Sequence, residues 1–339
     1  MREAMFIKKN AEKWKAYQQE EPANPDEAAE QFITLMDDLA YAKTFYPRSK
    51  STKWINGLAA SVYQNIYRNK KEKYSRIFTF WKYELPLIIR RHHGVFLFTS
   101  LLFIFFTVLG IVLSVNSPEF ISAALSPGYV QDTEDRIAKG DPFGVYTQGG
   151  YFNMFIRIAF NNIGVAFKEF AGGLSLGILT IFILWKNGLM LGAFQYMFFE
   201  HDLGIKSILV IWIHGTIEIS AIIIAGAAGF ILGNGVLFPG TFTRIESFKR
   251  NAKDAAKILI CLIPFFIMAA FLESYITHLM SETFSGKSDG MPEWASILIL
   301  AASLFLIGWY FIIWPIRLTR KGFFIKKDGI VSRLQNENE

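Results

Sequence analysis

Residues 94–115, 257–277 and 294–314 are each predominantly apolar over the ~20 residues that a helix needs to cross a hydrocarbon layer. No water reaches the backbone at that depth, so each run must satisfy its own N–H and C=O groups as a helix. Residues 152–232 are harder to divide, because glycines and polar residues interrupt an otherwise apolar pattern. Within them, 208–232 is nearly unbroken, yet it carries His214 and Glu218, one turn apart on one helical face. A carboxylate in hydrocarbon costs at least ~2.5 kcal/mol, so it faces a partner, a neighbouring helix or water.

Charge divides the chain. Although 52% of the residues are apolar, the charged ones crowd into the first 93 positions, a few loops and the tail. This predicts a soluble helical head with a juxtamembrane segment at 1–93, a membrane domain at 94–316 and a basic tail at 317–339. Arg90 and Arg91 precede the first run, Arg244, Lys249, Arg250, Lys253 and Lys257 fill a middle loop, and Arg317, Arg320, Lys321, Lys326 and Lys327 follow the last. Excess Lys and Arg marks cytoplasmic loops, so all three places are expected inside. The acidic loop at 117–150, with Glu119, Asp132, Glu134, Asp135 and Asp141 against only Arg136 and Lys139, is then outside. Three crossings, about 152–170, 173–199 and 205–232, return the chain to Arg244 and give six in all with both termini cytoplasmic. The alternative lays 152–170 on the outer surface and makes part of 173–199 re-entrant, because Arg157, Asn161, Asn162 and Lys168 suit lipid poorly. The expected fold class is all-α, a polytopic helical membrane protein with an N-terminal cytoplasmic helical domain.

The head shows three helical patterns. Phe6, Ile7, Trp14 and Tyr17 form a stripe over 2–19, Phe32, Leu35, Met36 and Leu39 over 26–45, and Ile55, Leu58, Val62 and Ile66 over about 52–69. Residues 77–89 mix aromatic and aliphatic side chains with Lys82 and Glu84. They suit an amphipathic segment at the membrane surface, or a fourth helix of the head. No charged leader with a small-residue cleavage site precedes the head, so no removable signal peptide is expected. The formal charge of +6 fits anionic headgroups better than nucleic acid, because the basic residues flank the spans. The single cysteine, Cys261, lies in an apolar run and offers neither a disulfide nor a cysteine metal site.

Several features resemble the stage II sporulation protein M family. They are Arg2-Glu3-Ala4-Met5-Phe6-Ile7 with Asn10 and Trp14, Asp38-Leu39-Ala40-Tyr41-Ala42 before Tyr46-Pro47, and Phe160-Asn161-Asn162. Lys186-Asn187-Gly188 through Gly192, and His214-Gly215-Thr216-Ile217-Glu218 leading to Ile224-Ala225-Gly226-Ala227-Ala228-Gly229, complete the pattern. The family comprises bacterial and archaeal polytopic membrane proteins. Its sporulation namesake recruits or holds peptidoglycan-remodelling partners, so the resemblance implies an inner-membrane scaffold.

Asn161, Asn162, Lys186, Asn187, His214 and Glu218 are the candidate intramembrane polar cluster, acting either as a structural knot or as a permeation or proton-relay path. Gly172, Gly173, Gly177, Gly226 and Gly229 are the candidate packing glycines, within the monomer or in a homodimer seam. His214 and Glu218 lack the second histidine of an HExxH helix, and Glu273, His278, His201 and Asp202 are distant in sequence, so no metal ligand set is assigned. No Walker loop, dinucleotide fingerprint or nucleophile elbow is present, so no cofactor is expected. The leading expectation is a non-enzymatic scaffold of the bacterial cytoplasmic (inner) membrane that meets membrane lipids and other membrane or envelope proteins. A channel or transporter through the His214 and Glu218 region is the alternative.

Overall fold

The computed structural model describes residues 2–19, 22, 25–68, 75–147, 150–286, 290–325 and 331–334. Two compact units result, Met1–Phe78 and Thr79–Glu339.

The first unit contains α1 (Glu3–Gln19), α2 (Pro25–Phe45) and α3 (Lys50–Arg68). Phe6 and Trp14 from α1, Leu35, Leu39 and Ala42 from α2, and Ile55, Leu58 and Val62 from α3 form its core. The stripes are narrower than the sequence suggests, since Ile7 and Met36 are exposed, and the Ile66 side chain lies outside the described set. Phe6 packs edge-on against Trp14 at 5.4 Å and stacks on Tyr41 at 5.0 Å. Trp14 Nε1 donates to Asp38 at 2.8 Å, which gives the buried indole the partner that it needs.

Helix α4 (Ser75–Thr79) ends at the first residue of the second unit, where a π-helical turn (Phe80–Glu84) and α5 (Leu85–Arg91) lead into α6 (His93–Asn116). Neither expectation for 77–89 describes its main part. Leu85, Ile88 and Ile89 are buried in the core of this unit, and Glu84 pairs with Lys257. Pro86 has no N–H to give the Lys82 carbonyl, which accepts instead from Trp314 Nε1 at 2.8 Å. Tyr310 does the same for the Trp81 carbonyl, also at 2.8 Å.

The segment drawn as an acidic outer loop is mostly helical, with α7 (Pro118–Leu125), α8 (Pro127–Ala138) and a 3-10 turn (Gly144–Thr147). Ile121, Val130, Phe143 and Tyr146 bury its apolar side against Met197, Phe198, Ile211 and Ile213. Most of its acids stay exposed, so the segment is a lid with a charged outer surface.

The remaining long helices are α9 (Tyr151–Gly172), α10 (Ile178–Glu200), α11 (Gly204–Leu237) and α12 (Arg244–Tyr275). After α13 (Thr277–Phe284) come α14 (Glu293–Gly308), a second π-helical turn (Trp309–Ile313) and α15 (Trp314–Arg320). Strands β1 (Phe323–Ile325) and β2 (Val331–Arg333) pair antiparallel, a small feature that the sequence did not suggest. Lys326 and Lys327 fall outside the described residues.

Among the described residues, five helical stretches are long and apolar enough to cross a membrane: 93–116, 178–200, 204–237, 244–284 and 293–320. The sixth expected crossing, α9, is not among them, because Arg157, Lys168 and Glu169 lower its hydropathy. It nevertheless packs within the bundle: Tyr151 stacks on His278 of α13 at 4.6 Å, Asn162 shares a cavity with Glu218 of α11, and Gly173, just past its end, meets Gly229 of α11. Helix α10 is continuous over 23 residues, with no re-entrant break.

Small residues set the spacing. A Cβ on Gly192 would lie 2.8 Å from Ile111 N, and one on Gly110 would lie 2.6 Å from Leu189 O, so α6 and α10 touch backbone to backbone. Gly172 and Gly229 meet Thr180, Gly226 meets Leu184, and Gly177 begins α10 beside Phe230 with a left-handed φ of +89°. All five candidate packing glycines thus contact helices of their own chain. The outer faces of α6 and α14 keep Leu97, Leu101, Phe105, Leu298 and Phe305 exposed, as lipid-facing surfaces require.

Candidate functional site: a polar cavity inside the membrane unit

A cavity of about 540 Å³ lies between α9, α10, α11 and α12, with Leu125, Tyr129 and Tyr146 of the lid at one side. Helix α11 contributes His214, Gly215 and Glu218, α12 contributes Glu273, and α9 contributes Arg157, Asn161 and Asn162. Met190, Leu191, Phe194 and Trp212 supply much of the apolar wall. A few convergent polar groups in an apolar container are the usual make-up of a small-ligand site.

One-turn spacing on α11 carries His214 and Glu218 to the same wall, as the sequence implies. The hydrogen-bond partner of His214 lies on α13. His214 Nδ1 meets Thr277 Oγ1 at 3.0 Å, and Thr277 Oγ1 donates to Leu272 O at 3.1 Å. His214 Nε2 lies 3.9 Å from Glu273 Oε2. One donor atom each from His214, Glu218 and Glu273 falls within 4.8 Å of the other two. His214 is 5% exposed, and its ring sits 5.9 Å from that of Tyr146. In the lid, burial pushes the Tyr129 phenol above its ordinary value and Tyr146 further still, so both face the cavity as neutral hydroxyls.

Asn161 and Asn162 line the same cavity. Asn161 Nδ2 donates to Asn162 Oδ1 at 3.4 Å, and the buried Asn162 side chain sits beside the Glu218 carboxyl. Lys186 and Asn187 do not join. They lie one turn before Met190 and Leu191, beyond the cavity; Lys186 is exposed, and Asn187 donates to Ile183 O at 2.9 Å. Metal ligation was not expected at His214 and Glu218, but the fold brings Glu273 to complete a three-residue set. His278 stays apart, against Tyr151. The sequence reading also passed over Glu169, which is fully buried with neither carboxylate oxygen bonded among the described residues. Its signal was legible, as a carboxylate directly after Lys168 in a helix otherwise rich in apolar residues.

These features define an all-α polytopic membrane protein with a half-open cavity, carrying convergent polar groups, between its helices. More particularly, residues 99–278 match the stage II sporulation protein M family, and the chain belongs to that family. The matched region contains every polar residue named above as lining the cavity. Residues 4–68 match a separate family described only as a domain of unknown function. An uncharacterized protein of Methanocaldococcus jannaschii is 31% identical over 125 residues, covering 36% of this chain and 70% of its own length. A second uncharacterized protein of that organism is 27% identical over 191 residues, covering 55% of this chain and 83% of its own length. No solved structure matches the chain.

Proposed function

We propose that this is a multi-pass protein of the cytoplasmic membrane, with both termini inside, whose membrane unit binds a small polar or cationic solute and passes it across the bilayer. The observation that carries this reading is the cavity containing His214, Glu218 and Glu273. Two carboxylates, an imidazole and a buried amide are a costly way to hold helices together, because polar contacts between membrane helices contribute only ~0.6 kcal/mol on average. Intramembrane ionisable residues mark substrate and ion pathways far more naturally. The lid residues put the cavity nearer the face opposite the basic loops, so the solute enters from outside.

The test is flux into proteoliposomes, measured for monovalent and divalent cations, amines and amino acids. Wild-type protein should move at least one of them, and the folded Glu273→Gln variant should slow that movement sharply. Equal rates for wild type, Glu273→Gln and empty vesicles across the panel would sink the transport reading.

A docking role for the head is a second reading, supported by the exposed Met5, Ile33, Met36, Phe45 and Trp54 on the first unit. In this reading the head recruits another envelope protein to the membrane unit, in keeping with a scaffold. Deleting residues 1–70 should spare membrane insertion and remove that partner from pull-downs. If the shortened protein kept every partner, the head would lose this role.

A further inference from the structure

We infer that His214, Glu218 and Glu273 hold a divalent transition-metal ion of the zinc type, with its open coordination position facing the cavity. The inference rests on the reading that the cavity is a solute site. It begins with the protonation of the histidine. Thr277 Oγ1 lies 3.0 Å from His214 Nδ1 and 3.1 Å from Leu272 O. With its one proton on the carbonyl it accepts from Nδ1, and in that tautomer Nε2 keeps its lone pair. That nitrogen lies 3.9 Å from Glu273 Oε2, and a Glu218 oxygen completes a group spanning no more than 4.8 Å. Three electron-rich atoms so close need a shared proton or a cation among them, and a divalent ion satisfies all three at once.

The cavity supplies a second observation. Asn162 is 6% exposed and lines the same space, with its amide beside the Glu218 carboxyl. Such an amide is placed to donate to a water or solute oxygen on the ion. The ligand chemistry then narrows the choice of metal. Calcium and magnesium favour sets made of oxygen alone, whereas an imidazole with two carboxylates suits zinc and its first-row neighbours. Bonds of about 2.0–2.2 Å to a tetrahedral ion put neighbouring ligand atoms roughly 3.4 Å apart, so small side-chain rotations close the group. Three protein ligands and one open position describe a site that works on a bound water or solute, while purely structural zinc sites are closed by four. The Nδ1 contact to Thr277 is the outer hydrogen bond that fixes the tautomer of a metal-binding histidine.

The experiment uses the full chain in detergent, stripped with a chelator and titrated with Zn²⁺ and Co²⁺, with bound metal read by elemental analysis and by visible cobalt absorption. Wild type should take up about one ion per chain at this site. His214→Gln and Glu273→Gln should lose that uptake while eluting as the same monodisperse species. Thr277→Val leaves every ligand in place and should weaken binding by about 10- to 100-fold, and Thr277→Ser should restore it. Wild type that binds no more Zn²⁺ or Co²⁺ than Glu273→Gln overturns the site. Zinc uptake without flux of any solute supports the metal site and removes the transport reading. Flux by protein that takes up neither metal does the reverse.

Discussion

Replacing Gly229 by alanine adds one methyl group where three segments of the membrane unit meet. The new Cβ would lie 2.6 Å from Thr180 Oγ1 and 3.0 Å from Thr180 Cγ2, and nearer still to the Glu169 carbonyl oxygen. Carbon contacts are comfortable at ~3.5–4.0 Å, so about 1 Å of separation is needed. Neither neighbour is free to give it. Thr180 Oγ1 donates to Glu169 O at 2.8 Å, and Thr180 is fully buried, so moving it breaks a bond that water cannot replace. Overpacking costs ~1–3 kcal/mol. Alanine's better helix propensity offsets at most ~1 kcal/mol of that. Gly164→Ala is the control, because nothing lies within 4 Å of its added Cβ, and only the propensity gain remains. The two variants should therefore differ by about 2 kcal/mol, with Gly229→Ala the less stable. Unfolding in mixed micelles by titration with sodium dodecyl sulfate, followed by tryptophan fluorescence, measures the difference. Coincident transitions for the two variants would show that the helices do not meet as closely as these distances require.

In the head, Asp38→Ala removes the acceptor of Trp14 Nε1, whose side chain is only 3% exposed, and should cost about 1–3 kcal/mol. Amide exchange in α1 should accelerate in the full chain, and unchanged exchange there would refute the role given to this bond. Glu3 accepts hydrogen bonds from the Ser49 and Ser51 hydroxyls, which hold its carboxyl below the ordinary glutamate range. A depressed carboxylate stabilises the fold above its unfolded pKa, about 4.3, and that contribution disappears as pH falls through the folded value. Exchange protection around Glu3 should thus weaken below pH ~4.3 in wild type but change less with pH in Ser49→Ala/Ser51→Ala, and identical profiles would refute the linkage. For topology, a cysteine at exposed Ser126 should react with an impermeant thiol reagent in intact cells, whereas one at exposed Thr241 should react only after permeabilisation. Cys261 is fully buried and should contribute little background. Outside labelling at position 241 in intact cells would overturn the arrangement with both termini inside.

What the sequence disclosed followed from distance along the chain. Apolar runs long enough to span, glycines at helical spacing and the one-turn pair on α11 are all local patterns, and the fold contains each of them. The description of α9 needed more than hydropathy. Arg157 and Asn162 face a cavity between helices and Glu169 is buried, so its polar residues do not argue against a path through the unit. Residues 77–89 were misassigned for a similar reason. Their apolar side belongs with α12 and the chain around Phe311, and amphipathicity alone cannot name the surface that it covers.

The limit is sharpest at the polar site. Lys186 and Asn187 share helical rows with Met190 and Leu191, so their spacing along the chain gave no sign that the cavity ends one turn away. Glu273 is remote from His214 in sequence, and it reaches the site because α11 and α12 pack closely. Ala221, Ala225 and Ala228 on one helix, and Ala255, Ala269 and Ala270 on the other, are all buried, which lets these backbones approach. Small residues therefore do more than join helices here, since their close approach brings the second carboxylate within reach of the imidazole. The pair visible on α11 is only half of the chemistry. A histidine and a carboxylate on one helix need only a partner, and a neutral hydrogen-bonded knot would satisfy them. Adding Glu273 makes a three-residue set of one imidazole and two carboxylates on two helices, which a single one-turn pair could not supply.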